Sequence, residues 1–517
     1  MPATLTYPGV YIEELPSGVH TISGVATSIA AFAGWAAQGP TSKAALVQSW
    51  SDFDCQFGGL DNRSLLGYAV SQFFGNGGQQ AYIVRLVDAT AVVAQVSVPA
   101  AAGTAFAVAA IDAGLWANSY GVRIAANTAD ATRFSLLVVC TPSGGTGETV
   151  VESFANLSML ANDPQSRTVD SVVNDARTGS QLIRISNVSV VANAQPVPNP
   201  AGSGHPYGLA GGLDGTVLNP GEAGFHTALN ADGTQNGGVR LLDTVSLFNL
   251  LCVPGETDSA TIQNLQGYCV GKRAFYLVDC AQGDSFASLQ SGPPNGACGP
   301  NSMNSAFYFP WVNAPDPLQQ GRIRAFPPCG FVAGLYAATD TNRGVWKAPA
   351  GIEAGLTGAS GLTTVLTDQQ NGTLNLQAIN CLRQLPVYGN VVWGARTLQG
   401  NDQAASQWKY VPIRRLALFL ESSLYEGTQW AVFEPNDERL WSQLRLNVGA
   451  FMQGLFLQGA FQGTSPQQAY FVKCDAENNP QANIDRGIVT VLVGFAPLYP
   501  AEFVVIQIQQ MAGQLQA

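Results

Sequence analysis

Along this chain hydrophobic positions recur with two periods, two in short runs and three to four in a few longer ones, and the two periods mark strands and helices. The first clear run is Tyr7-Pro8-Gly9-Val10-Tyr11-Ile12-Glu13-Glu14. Val10 and Ile12 fall on one face, Tyr11 and Glu13 on the other, which is a strand pattern. Pro8-Gly9 before it and Pro16-Ser17-Gly18 after it isolate it from any local partner. Its backbone groups must then be paired elsewhere, so residues 1–20 read as an arm; a disordered terminus is the other reading. Ser64 to Phe74 has helical spacing, and Ala81 to Val87 is a strand. Between 89 and 200 the texture turns to short alternating runs (Val92 to Val98, Phe134 to Cys140, Leu182 to Val190), which predicts a small β-rich outer domain inserted into the first fold. The Pro- and Gly-rich stretch that follows predicts a linker over 201–224.

Residues 225–400 rejoin 21–88 in an α/β core. Val245–Val253 and Ala274–Cys280 are apolar strand runs, and Asp258–Val270 between them is helical, which suits a right-handed crossover and a parallel sheet. Ala306–Val312 continues the sheet, and Leu385–Trp393 reads as a hairpin turning at Gly389-Asn390. In 401–500 the clearest helix follows Pro435, with Asn436 as the expected N-cap. Leu440, Leu444, Val448, Phe451 and Leu455 form its apolar stripe, and Arg439, Ser442, Gln443 and Leu446 lie opposite. A last strand pattern, Phe503 to Gln509, gives a second terminal arm over 501–517, carried by Phe503, Val505, Ile506 and Ile508. The fold class is α/β with α+β elements and two extended strand arms.

Composition sharpens this picture. Charged residues make up 11%, against roughly 25% in ordinary soluble domains. Interfaces are depleted in Lys, Glu and Asp, so the deficit points to a subunit covered by neighbours. The net charge of −11 argues against nucleic-acid or anionic-membrane partners. Nine scattered cysteines with no Cys-x-x-Cys pair read as reduced, mostly buried thiols of a protein folded in a reducing cytoplasm. The N-terminus has no signal-peptide pattern. The uncharged stretches 15–42 and 92–111 are broken by Pro, Gly, Ser and Thr, so no spanning helix and no membrane insertion are expected.

Candidate chemistry changes little. His20, His205 and His226 fall in segments read as arm or loop, with no packed setting for a hydrolytic triad. Gly267 to Arg273 is one residue short of a phosphate loop and ends in Arg where a hydroxyl is needed. Gly202 to Gly208 misses the dinucleotide pattern by one residue. No metal or cofactor ligand set is expected, and an enzyme is disfavoured.

The motifs of the second half do carry information. Arg414-Arg415-Leu416, Leu420-Glu421-Ser422-Ser423-Leu424, Gln429 to Asp437 and Ala496 to Phe503 resemble the contractile phage tail sheath family, as do Pro327 to Gly334, Asp340 to Pro349 and the opening Tyr7 to Glu14. The resemblance implies a structural subunit that polymerises as a helical sheath around an inner tube protein and contracts to drive the tube through a target envelope. It implies arms that complete a β-sheet in neighbouring subunits (Val10, Tyr11 and Ile12; Phe503, Val505, Ile506 and Ile508). It also implies baseplate and terminator or cap partners, and assembly in a bacterial cytoplasm as part of a phage tail or phage-tail-like particle. The tube contact is expected on Arg439, Ser442, Gln443 and Leu446, although a plain solvent face fits them as well. On the residues alone, an α/β enzyme and a static self-assembling shell are the rival classes.

Overall fold

The computed structural model describes residues 20–141, 147–189, 194–200, 205–230, 237–294 and 297–507. Its centre is an eight-stranded sheet. The strands are β1 (Ala30–Trp35), β2 (Ala45–Val47), β3 (Ala81–Leu86), β4 (Leu250–Cys252), β5 (Phe275–Asp279), β6 (Ser305–Phe309), β7 (Ile379–Leu385) and β8 (Gly389–Val392). They lie in the order β8-β7-β6-β5-β4-β1-β3-β2. The six inner strands are parallel, and antiparallel β2 and β8 close the two edges. Their near-continuous apolar runs follow from burial on both faces: β1, β4, β5 and β6 have no exposed residue.

Helices cover the two faces. On one side α1 (Leu66–Gly75) packs against α3 (Cys329–Arg343), and on the other lies α2 (Ser259–Lys272), whose N-cap Asp258 accepts the Thr261 N–H at 2.8 Å. The close approach of α1 and α3 depends on Gly330 and Gly334. A Cβ on Gly330 would stand 2.5 Å from the Ala69 carbonyl, and one on Gly334 2.6 Å from that of Phe73.

Between β3 and β4 the chain leaves the sheet and builds a separate core around Phe106, Ile124, Phe134, Leu136, Val138 and Leu157. Two antiparallel sheets of four and three strands enclose it. The segment expected as linker departs from expectation: Tyr207–Gly208 pairs with the strand Tyr120–Ala126, and Ala210 and Leu213 bridge to Gln95 and Val92. Pro and Gly predicted a loop, but backbone pairing to the insert decided the conformation. The hairpin of β7 and β8 is present with its turn moved. Leu385 faces Gly389, so Pro386, Val387 and Tyr388 make the turn, and Asn390 is inside the ladder opposite Gln384.

The C-terminal part holds α4 (Val411–Gly427) and α5 (Glu438–Leu457), followed by β9 (Tyr470–Lys473) and β10 (Leu492–Phe495). Arg415 on α4 locks it to the sheet domain. Its guanidinium makes two bonds to Asp340 at 2.8 and 2.6 Å, a third to the Thr27 carbonyl at 2.9 Å, and lies over the Tyr336 ring. Arg414 donates to Asn304 at 2.6 Å.

Candidate assembly surfaces

The chain's last described stretch is bound tightly and then released. Residues 496–502 run along the body: Ala496 N–H donates to Ala469 O at 2.8 Å, and Gln462 N–H to Ala496 O at 2.9 Å. Tyr499 packs edge-on against Tyr410. Glu502 then meets a cluster of donors. Arg396 Nε and Nη2 each donate to it at 2.7 Å, Asn375 Nδ2 at 2.8 Å and the Tyr410 hydroxyl at 3.1 Å. Arg396 has no exposed side-chain surface, and its Nη1 is shared among Asn375 O, Gly400 O and Asp402. Two parallel N–H···O bonds from a buried guanidinium are the strong, directional form of this pair. Burial pushes the Glu502 carboxyl up, but the bonds from Arg396, Asn375 and Tyr410 outweigh it and hold the pKa below the usual carboxylate range. A groove of about 920 Å³ lies beside this point, walled by Trp346, Trp393, Tyr410 and Tyr499.

One residue later all burial stops. Phe503, Val504, Val505 and Ile506 are 73–81% exposed. The strand expected here is not formed within the single chain, because among the described residues no neighbouring strand lies alongside to share a ladder. Ile508, and Val10, Tyr11 and Ile12 of the first arm, lie outside the described residues.

A receptive surface is present in the same part of the molecule. β9 and β10 form a sheet of two strands, with Tyr470 opposite Phe495 and Val472 opposite Val493. Those four side chains pack on α4 and α5 residues such as Leu416 and Met452. The opposite face shows Phe471 and Leu492, each about half exposed. Among the described residues each strand has one partner, which leaves both edges with unpaired N–H and C=O groups. A sheet of two strands is marginal until strands are added or its faces are covered.

Helix α5 buries Leu440, Leu444, Val448 and Leu455 as its spacing predicts; Phe451, expected in that stripe, is only half-buried, and Trp441, Asn447 and Met452 are buried beside it. The cap is Asp437, which accepts the Arg439 and Leu440 N–H groups at 3.0 and 3.1 Å. The expected cap, Asn436, is drawn away: it accepts from Trp441 Nε1 at 2.9 Å and donates to Ile488 O. Arg439, Ser442 and Leu446 are exposed and Gln443 is half-buried. Two exposed apolar residues escaped the sequence reading. Leu457 continues the Leu446 stripe three turns on, and Phe433, fully exposed, stands just before the helix with φ of 71°. A left-handed aromatic costs roughly 1–3 kcal/mol, a signal that only backbone geometry reveals.

Several other titratable groups are tied into the fold. His226 is on a helix, Ala223–Asn230, not in the loop expected for it, and its Nε2 stands 3.1 Å from buried Glu256, which also accepts the Thr257 and Asp258 N–H groups. His20 stacks on Trp430. Asp279 is pushed up to about 6 by burial against the Gly255 and Cys329 N–H bonds that favour its charged form. Six of the nine cysteines are buried, and all are free. Among the described residues no His, Cys, Asp or Glu side chains converge as metal ligands would. No described helix is long and apolar enough to cross a membrane.

With this geometry in hand, comparison with known proteins gives a consistent result. Residues 244–398 match the model of the phage tail sheath protein central domain, and 403–511 that of the phage tail sheath C-terminal domain. The chain is 25% identical over 238 residues to the tail sheath protein of Vibrio phage KVP40, covering 44% of this chain and 34% of that one. It is 26% identical over 281 residues to a putative prophage major tail sheath protein of Pseudomonas aeruginosa UCBPP-PA14, covering 53% and 69%. The match thus spans about a third of the length of the Vibrio phage relative. In three dimensions the chain is similar to the sheath of an extracellular contractile injection system, PVC, in its contracted state. The TM-score is 0.58 at 22% identity, with 98% of this chain and 99% of the other covered.

Proposed function

This chain belongs to the phage tail sheath family, and from that premise we propose that it is the sheath subunit of a contractile tail or injection system, which polymerises as a helix around an inner tube and contracts to drive that tube through a target envelope. The observation that carries the reading is the pairing of an incomplete sheet with a projecting apolar segment. β9–β10 offers open edges, and Phe503–Ile506 offers an unpaired strand. An open edge on one copy and a loose strand on the next form a head-to-tail contact by strand addition. Head-to-tail contacts that do not close a ring build helices.

The first arm (Val10, Tyr11, Ile12) takes the same role toward another neighbour. The outer face of α5, with Arg439, Ser442, Gln443 and Leu446, meets the inner tube. Baseplate and terminator proteins hold the two ends of the sheath, and assembly takes place in the bacterial cytoplasm. The work of contraction comes from the packing difference between two lattices, a bistable interface rather than a bound nucleotide.

Negative-stain electron microscopy of the full chain expressed alone and with a tube protein tests this. Hollow, striated tubes are the expected result. Discrete monomers under both conditions would overturn it.

A further inference from the structure

The apolar run of the C-terminal arm has an unusual property. Phe503 and Val505 face one way in an extended strand, Val504 and Ile506 the other. When one face is apolar and the other polar, a slip by one residue turns the apolar set to water, and the pattern itself fixes the register. In Phe503-Val504-Val505-Ile506 a slip by one puts apolar residues in apolar positions again. Over these four residues the pattern does not select a register, and the alternation that would begins only at Ile506-Gln507-Ile508-Gln509. The first arm differs: Val10 and Ile12 oppose Tyr11 and Glu13, so a slip there is penalised.

We propose that Arg396, Asn375 and Tyr410 form a carboxylate cradle that sets the register of the C-terminal arm in the neighbouring subunit, by holding Glu502 at one point of the body. The proposal rests on the reading of this arm as an inter-subunit strand. Its geometric basis is the lack of slack: the last anchored residue and the first free one are adjacent. The cradle is itself fixed. Arg396 N–H donates to Asn380 Oδ1 and Asn380 Nδ2 to Arg396 O, both at 2.7 Å, and Arg396 is bridged to Tyr410 through the backbone. Asn375 comes from a separate helix, Asp368–Leu376. Three segments of the core thus converge on one side chain of the arm. Arg396, Asn375 and Tyr410 are positioning residues, since none is placed at the inter-subunit ladder.

The decisive variant inserts one glycine between Glu502 and Phe503 of the full chain. It leaves the cradle intact and shifts the strand by one residue. The expected result is a subunit with unchanged melting temperature whose tubes are lost, or lose their helical order in cryo-electron microscopy. Ala501→Gly adds the same flexible residue with no shift, outside the arm strand, and is expected to keep that order. Glu502→Ala, or Glu502→Gln if the alanine variant does not fold, is expected to give tubes of mixed helical symmetry or none. Ordered tubes from the insertion variant, or equal disorder in Ala501→Gly, would overturn the cradle's role. A chain ending at Glu502 separates this from the reading beneath it: if that chain forms ordered tubes, the arm itself is not an assembly strand.

Discussion

At the scale of single residues, Arg415 and Asp340 show what the motif positions do. Both side chains are at most 3% exposed, and the pair joins α4 to α3 and to the segment at Thr27. A buried ion pair adds little net stability over an apolar pair, but removing one partner strands a charge and costs about 3–5 kcal/mol. Asp340→Asn is therefore expected to lower unfolding stability by roughly that amount, read as a lower midpoint in urea with the same slope. An unchanged midpoint would mean that α4 is held by apolar packing alone. Arg415 and Asp340 both stood in the stretches that carried the family resemblance, yet nothing in the sequence said that they meet, since 75 residues separate them. Glu502 is the same case at a separation of 106. A lone carboxylate between Ala501 and Phe503 was the available signal, because a charge at the head of an apolar run needs a partner.

At the scale of elements, legibility followed local information. β3, β5, α1 and α2 were readable because their apolar periods are strong and their ends are marked, as by the Asp258 cap. The positions that moved are those where a long-range bond competes with a local preference. Asn436 yields the cap to Asp437 because Trp441 and Ile488 claim its amide. Gly389-Asn390 yields the turn because the β7 ladder runs through it. For α5 the apolar spacing located the buried stripe apart from Phe451, and the outward face is open, with Leu446 59% exposed. If that stripe meets the tube, reversing one charge and placing another on its apolar centre removes more than one anchor. Arg439→Glu with Leu446→Asp is then expected to reduce tube-bound sheath by at least about tenfold in co-sedimentation, while tube-free assembly stays as in the parent. Equal binding would make α5 an ordinary solvent face.

At the scale of the whole molecule, the body is locked by Arg414 and Arg415, and the proposed reading leaves assembly to the two arms. Deleting residues 1–14 is therefore expected to leave a folded, soluble subunit that does not polymerise, measured by size-exclusion chromatography and microscopy. Tubes of normal length would remove the first arm from the assembly. The two sheets of the insert were legible only as a change of texture, because short Val-, Ala- and Thr-rich strands carry little information about which partner they choose. The insert's connection to the sheet has one more consequence. Val92 and Leu213 exchange backbone bonds at 3.0 Å, so the chain departs and returns through adjacent strands only about 5 Å apart. A junction of that width is a socket. A polypeptide whose two ends sit side by side fits that width, and one spliced in place of residues 93–212 must also replace the bonds that Asp112 accepts from Thr41 and that the Ala113 carbonyl accepts from Arg85.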